Sequence, residues 1–293
     1  MDINQYCYTE NNFKISKAPT FVKDSSNDLK KIKKQVKHNV KHIRNAQEKM
    51  NARHKYGVLI VLQGMDAAGK DSLVKHILEG VNPSGFNVAS FKTPTAEELN
   101  HDFLWRVNQK LPRRGQIGIF NRSYYEDVLI SRVHPSIVLN NNLPDIHSLN
   151  DVNDEFFEKR YQDIRNYEQY LTNAGYLILK FFLHISKDEQ KRRFMSRIET
   201  PEKNWKLSAA DIRERQYWNK YQMVYEKAIN ATATKENPWY VIPADDKWYS
   251  RLIVSNILTE QLEKLPLAYP TMTEKQEKEL QIAKQLLQDE DKY

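Results

Sequence analysis

The sequence predicts an α/β protein with three layers, a parallel sheet covered on both faces by helices and a helical lid. Three observations carry this expectation. Short runs rich in branched apolar residues alternate with amphipathic helical patterns, the order that yields parallel strands joined by crossover helices. A glycine-bearing segment joins the first of those strands directly to a helix. With 293 residues, 40% of them hydrophobic, the chain can bury one large core.

The elements follow in order. Leu29, Ile32, Val36, Val40, Ile43 and Met50 recur at helical spacing among Lys30, Lys31, Lys33, Lys34, Lys37, Lys41 and Arg44, an amphipathic helix whose basic face is either solvated or a guide for a polyanion. A strand is expected at 57–62, then a helix whose Leu73, Val74, Ile77, Leu78 and Val81 would lie on the sheet. Next come a strand at 86–91, a helix at 96–109 and strands at 116–120, 176–183 and 239–242, with helical patterns between and after them. Residues 139–152, rich in Asn and Asp and containing Pro144, read as a surface loop. Residues 187–225 are charged and helical, interrupted at Thr200 and Pro201, with Ser208 and Asp211 as a capping pair for the second half. The expected organisation is an N-terminal extension and basic helix (1–55), a core (56–272) containing a lid module (187–225), and a polar C-terminal helix (273–293).

A net charge of +7 points to an anionic partner: nucleic acid, an acidic membrane surface or a phosphate-rich substrate. No apolar run approaches the roughly 20 residues of a membrane span. The polar N-terminus lacks a signal pattern, so a cytoplasmic protein is expected. The single Cys7 permits neither an internal disulfide nor a thiolate metal site.

Chemistry concentrates in three segments. The first is Gly64-Met65-Asp66-Ala67-Ala68-Gly69-Lys70-Asp71, which fits G-x-x-x-x-G-K between a strand and a helix and so reads as a phosphate-binding loop of the P-loop kinase fold. Its glycines let backbone N–H groups turn toward phosphate oxygens, Lys70 adds charge, and the helix N-terminus faces the anion. The alternative is a glycine-containing turn. Ordinary loops of this kind place Ser or Thr after the lysine to hold Mg²⁺, but Asp71 stands there; Asp66 is therefore the candidate metal ligand, or else it makes an Asx-type bond to the loop backbone.

The second segment is Asn121-Arg122-Ser123-Tyr124-Tyr125-Glu126-Asp127 at a strand's carboxyl end, where doubly wound sheets bind ligands. Arg122 either clamps a phosphate or pairs on the surface with Glu126 or Asp127. Asn121 can hydrogen-bond but cannot act as a general base, which favours transfer over hydrolysis. The third segment carries Lys191, Arg192, Arg193 and Arg197, joined by Arg213 and Arg215, and is either a lid closing over reacting phosphates or a solvated basic helix. His101, His134 and His184 could be proposed as phosphorylated intermediates, but are more simply packed or hydrogen-bonded histidines.

These segments, together with Ser90-Phe91-Lys92-Thr93-Pro94-Thr95, His101-Asp102-Phe103-Leu104-Trp105-Arg106 and Ile242-Pro243-Ala244-Asp245-Asp246-Lys247-Trp248, resemble the second family of polyphosphate kinases over residues 29–273. The resemblance implies phosphoryl transfer between inorganic polyphosphate and nucleotides, dependence on Mg²⁺ (Mn²⁺ as a substitute), a channel lined by Lys and Arg, and a homo-oligomer, with no nucleic acid or membrane partner. By that likeness Asp66, Lys70, Asn121, Arg122 and Arg193 are catalytic, with Asp66 on the metal. Gly64, Ala67, Ala68, Gly69, Lys70, Asp71, Lys75, Arg192 and Arg197 would hold phosphates, and Lys92, Thr93, Arg106, Arg122 and Glu126 the nucleotide. Asn121, where members acting on diphosphates tend to carry Asp, together with Glu126 resembles the subgroup that also accepts nucleoside monophosphates, AMP through ADP to ATP and guanine nucleotides as well. The competing readings are an ATP-dependent nucleotide kinase and a basic nucleic-acid-binding protein, though no RNA-binding signature appears.

Overall fold

The computed structural model describes residues 2–22 and 28–290. Among them, six strands form one sheet: β1 (Cys7–Tyr8), β2 (Gly57–Gly64), β3 (Phe86–Ser90), β4 (Ile117–Asn121), β5 (Tyr176–His184) and β6 (Trp239–Pro243), in the spatial order β1-β6-β5-β2-β4-β3. All eight residues of β2 are buried, as a central parallel strand requires. Its neighbours β4 and β5 run parallel to it, with Val61 opposite Phe120 on one side and Lys180 on the other. The sheet departs from the all-parallel expectation at one edge, where β1 pairs antiparallel with β6.

The helices are α1 (Leu29–Arg53), α2 (Lys70–Ile77), α3 (Ala96–Leu99), α4 (Trp105–Asn108), α5 (Glu126–Val133), α6 (Ser136–Leu139), α7 (Asp154–Asn173), α8 (Lys187–Ile198), α9 (Ala209–Glu214), α10 (Trp218–Thr232), α11 (Lys247–Glu263) and α12 (Glu274–Glu290). One helical layer packs α1 on α11 and α11 on α2; the other packs α10 on α5 and α7. Helix α1 buries Ile32, Val36, Val40, Ile43 and Met50 and leaves Leu29 exposed. The N-terminal extension is built into this body: Ile3, Tyr6 and Phe13 are buried core residues.

Two expected elements differ. The single helix expected at 96–109 is two one-turn helices, because Thr95 and Glu98 close a capping box around α3 and the Asp102 carboxylate then accepts the Leu104 N–H (2.9 Å), which ends one turn and starts the next. The module expected to end near residue 225 has no boundary there: α10 runs on to Thr232 and buries Val224, Tyr225, Ala228 and Ile229 in the core. Ser208 and Asp211 do form a reciprocal capping box. The C-terminal helix ends at Glu290 in α12; residues 291–293 lie outside the described residues. No described helix is long and apolar enough to cross a membrane.

Candidate active site

The carboxyl ends of β2 and β4 lie side by side at the point where the chain's crossovers diverge to opposite ends of the sheet, so the loops that follow them share one crevice. The loop after β2 turns tightly. Gly64 has φ +151°, and a Cβ there would sit 2.8 Å from the Leu183 carbonyl oxygen; Ala67 is also left-handed (φ +62°). Lys70, the first residue of α2, folds its side chain back across the loop and donates from Nζ to the Gly64 (2.6 Å) and Met65 (3.3 Å) carbonyls. Burial pushes its pKa down, against the pull of Asp66.

The chain leaves β4 through Asn121 and Arg122. Asn121 donates to Asp71 (2.5 Å), so these two non-standard positions meet across the crevice. Arg122 has φ +63°, rare for a non-glycine residue, and its guanidinium donates to Asp66 Oδ1 at 3.0 Å. Its partner is thus the loop carboxylate, neither Glu126 nor Asp127. Glu126, in the first turn of α5, lines the same small cavity of about 50 Å³ as Asp66, Arg122, Gln190, Arg215 and Tyr225. Lys70, Asp66 and Arg122 therefore converge, as their spacing in sequence suggested.

Burial raises the Glu126 carboxyl above its ordinary value, although Arg122 and Lys70 pull the other way. An acid whose folded pKa exceeds its unfolded one weakens the fold once pH has risen through the folded value; the penalty is absent below the unfolded value. Glu126→Gln is therefore expected to raise the melting temperature at about pH 8, with the gain gone by about pH 4, near the ordinary carboxylate pKa. Thermal melts across that range check it, and a gain that does not depend on pH contradicts it.

The basic lid residues divide. Arg193 is 5% exposed and points inward, donating to the Ala67 and Ala68 carbonyls (both 2.8 Å), to the Ala244 (2.5 Å) and Asp245 (3.0 Å) carbonyls and to Glu189 (2.7 Å). It braces the loop from behind. Arg192 forks onto Glu189 while exposed on the surface, and Arg197 donates to the Lys206 carbonyl. Lys75 is exposed on α2, and Lys92 and Thr93 are exposed beyond β3. Arg106 is buried and holds the Lys92 carbonyl at 2.8 Å. His101 stacks on Trp105, His134 meets Glu214 at 2.6 Å and His184 is buried at the end of β5, so each has a packing role.

Sequence reasoning missed Gln190, which donates to the Asp66 carbonyl (2.9 Å), and Tyr221, Tyr225 and Glu214, which wall the cavity from the lid side. The neutral Gln190 and the aromatic Tyr221 and Tyr225 carry no signal for such a role, and Glu214 lies among other charged residues of the 187–225 segment with nothing in its spacing to single it out. Among the described residues no group of three or more His, Cys, Asp or Glu side chains could hold a metal unaided. Asp66 suits a Mg²⁺ that takes one protein carboxylate and completes its shell with phosphate oxygens and water.

A family model described as polyphosphate kinase 2 matches residues 26–268. The chain belongs to the polyphosphate kinase 2 family. It is 48% identical over 274 residues to an ADP-polyphosphate phosphotransferase of Rhodopseudomonas palustris, covering 93% of this chain and 94% of that one. To an AMP/ADP-polyphosphate phosphotransferase of Meiothermus ruber it is 49% identical over 224 residues, 76% and 78% of the two chains. The crystal structure of polyphosphate kinase 2 from Arthrobacter aurescens superposes with a TM-score of 0.82 at 35% identity, covering 93% of each chain. The sandwich and the loop expected from sequence are thus the fold of the polyphosphate kinase 2 family.

Proposed function

We propose that this chain is a cytoplasmic, homo-oligomeric phosphotransferase that moves phosphoryl groups in line between inorganic polyphosphate and nucleotides, taking AMP to ADP and ADP to ATP, with guanine nucleotides as further acceptors. The observation that carries the reading is the meeting of Lys70, Arg122 and Asp66 at the mouth of the loop, two cations and a carboxylate paired with one of them, with no Ser, Cys or His side chain among them. Phosphoryl transfer needs positioning and charge stabilisation, and this set supplies both. Lys70 leaves the Gly64 carbonyl for a phosphate oxygen, and Arg122 exchanges Asp66 for the transferring group. Gln190, Arg215 and Tyr225 exclude water. Asp66 would hold a Mg²⁺, which would supply charge neutralisation to the phosphates. Asn121 cannot activate a water molecule, and this favours transfer over hydrolysis.

A second cavity of about 540 Å³ adjoins the first through neighbouring residues of α5, Glu126 in one wall and Asp127 in the other. Phe103, Arg106, Phe156 and Arg160 line it, and the Arg160 guanidinium lies 4.4 Å from the Phe103 ring centre. This space, with aromatic rings beside charged side chains, is where the nucleoside end of the acceptor belongs. Arg106→Met is expected to raise the nucleotide KM about tenfold while the polyphosphate KM stays within about twofold. Equal effects on both KM values contradict that placement.

Direct transfer has its own test. Rapid quenching after mixing with labelled polyphosphate, under conditions that preserve phosphohistidine, is expected to leave no label on the protein. A labelled histidine formed and consumed at the rate of turnover overturns the in-line reading. Incubating AMP with ATP and Mg²⁺ in the absence of polyphosphate separates the rival ATP-dependent kinase, which alone makes ADP as fast as the complete mixture.

A further inference from the structure

Lys180 and Glu168 form an ion pair in the middle of the protein, 0% and 1% exposed, with Nζ 2.7 Å from Oε2. Lys180 comes from β5 and Glu168 from α7. The other carboxylate oxygen accepts two phenol hydroxyls from consecutive residues, Tyr124 at 2.9 Å and Tyr125 at 2.8 Å. Nζ also donates to the Thr232 carbonyl at 2.8 Å, and the Tyr125 hydroxyl lies 3.0 Å from Thr232 Oγ1, which the Trp239 indole N–H reaches at 2.9 Å. One buried charge pair thus joins two strands, two helices and the segment that leaves β4.

Stability alone does not account for it. Replacing a buried ion pair by well-packed neutral side chains is often neutral or stabilising, because both charges lose their hydration. What the network grips is more informative. Tyr124 and Tyr125 lie two and three residues after Arg122, whose left-handed backbone costs roughly 1–2 kcal/mol in a non-glycine residue and persists only where its surroundings fix it. Upstream of the tyrosines, Arg122 N donates to the Leu62 carbonyl (3.1 Å) and the buried Ser123 hydroxyl accepts from Gln63 (3.1 Å). Downstream, the first turn of α5 holds the backbone, with the Glu126 N–H on the Ser123 carbonyl (3.0 Å), and the two phenols supply the side-chain anchor, both ending on Glu168.

We propose that the Lys180–Glu168 pair is a positioning device for phosphoryl transfer: through Tyr124 and Tyr125 it fixes the 122–125 turn so that the Arg122 guanidinium is aimed at the mouth of the phosphate loop. Lys180 and Glu168 touch no substrate; they act through Arg122, and the inference rests on the role given to Arg122 above.

The test is a coupling cycle on the full-length enzyme with polyphosphate, ADP and Mg²⁺. The paired variant Lys180→Met/Glu168→Gln removes both charges and keeps an acceptor for the phenols. It is expected to melt at or above the wild-type temperature, to lose about tenfold to a hundredfold in kcat, and to keep both KM values within about twofold, since a misplacement of about 1 Å suffices for such a loss. In an Arg122→Lys background the same pair of changes is expected to lower kcat by less than about twofold, because the group it positions is already gone. Tyr124→Phe, which removes one hydroxyl and leaves the ion pair intact, is expected to repeat the non-additive pattern at smaller size, and it decides the question alone if the paired variant does not fold. An unchanged kcat, or a loss of the same size in both backgrounds, overturns the positioning role. An Arg122→Lys enzyme with wild-type kcat instead overturns the role of Arg122, and this inference with it.

Discussion

Lys70→Ala is expected to lower the rate of transfer from polyphosphate to ADP by about a thousandfold, the cost of removing one preorganised charge from a phosphoryl-transfer site, or about 4 kcal/mol of transition-state stabilisation. The fold should survive. Lys70 sits at the start of α2, and what alanine removes is two hydrogen bonds to the Gly64 and Met65 carbonyls, a loss of about 1 kcal/mol each, and a partly buried ammonium that desolvation already disfavours. Steady-state kinetics beside a thermal melt check both halves. A variant that melts cooperatively near the wild-type temperature and has lost transfer is the expected result. Activity within about tenfold of wild type would remove Lys70 from the transition state.

Asp66→Asn is expected to cost about a hundredfold to a thousandfold and to move the midpoint of Mg²⁺ activation up by at least about tenfold. The carboxylate lines the small cavity beside the loop, where a hard cation can meet it, and Arg122 holds it at 3.0 Å. The pair is partly exposed, so its loss should shift stability by less than about 1 kcal/mol. A Mg²⁺ titration at saturating polyphosphate separates the two roles. Lost activity that extra Mg²⁺ partly restores belongs to the metal, whereas lost activity at every Mg²⁺ concentration belongs to the positioning of Arg122.

The loop and its lysine were legible because glycine and lysine at fixed spacing between a strand and a helix have one dominant use, whereas Arg122 was legible only in its place, at the carboxyl end of β4 beside the loop, and its partner Asp66 was not. The central strands announced themselves by apolar runs, interrupted in β5 by Lys180. A two-residue strand such as Cys7–Tyr8 has no periodicity to read, and only its pairing with β6 defines it. The break in the 96–109 segment depends on where the Asp102 carboxylate points, which composition does not encode. Arg193 shows the limit most sharply. Its charge suggested contact with phosphate, but its five donors meet a carboxylate and four backbone carbonyls of the loop and of the segment after β6, and carbonyl direction is a property of the folded backbone alone. Tyr124 and Tyr125 likewise gained a role only when Glu168, more than forty residues away, was brought beneath them.

The most direct test of the account is to mix the purified protein with Mg²⁺, long-chain polyphosphate labelled in its phosphates and unlabelled ADP or AMP, with no ATP present, and to separate the nucleotides by anion exchange. Label appearing in the terminal phosphate of ATP from ADP, and of ADP from AMP, at rates that fall in parallel in the Lys70 and Arg122 variants, is the predicted result. Nucleotide products that stay unlabelled, or label transfer that both variants leave untouched, would contradict it.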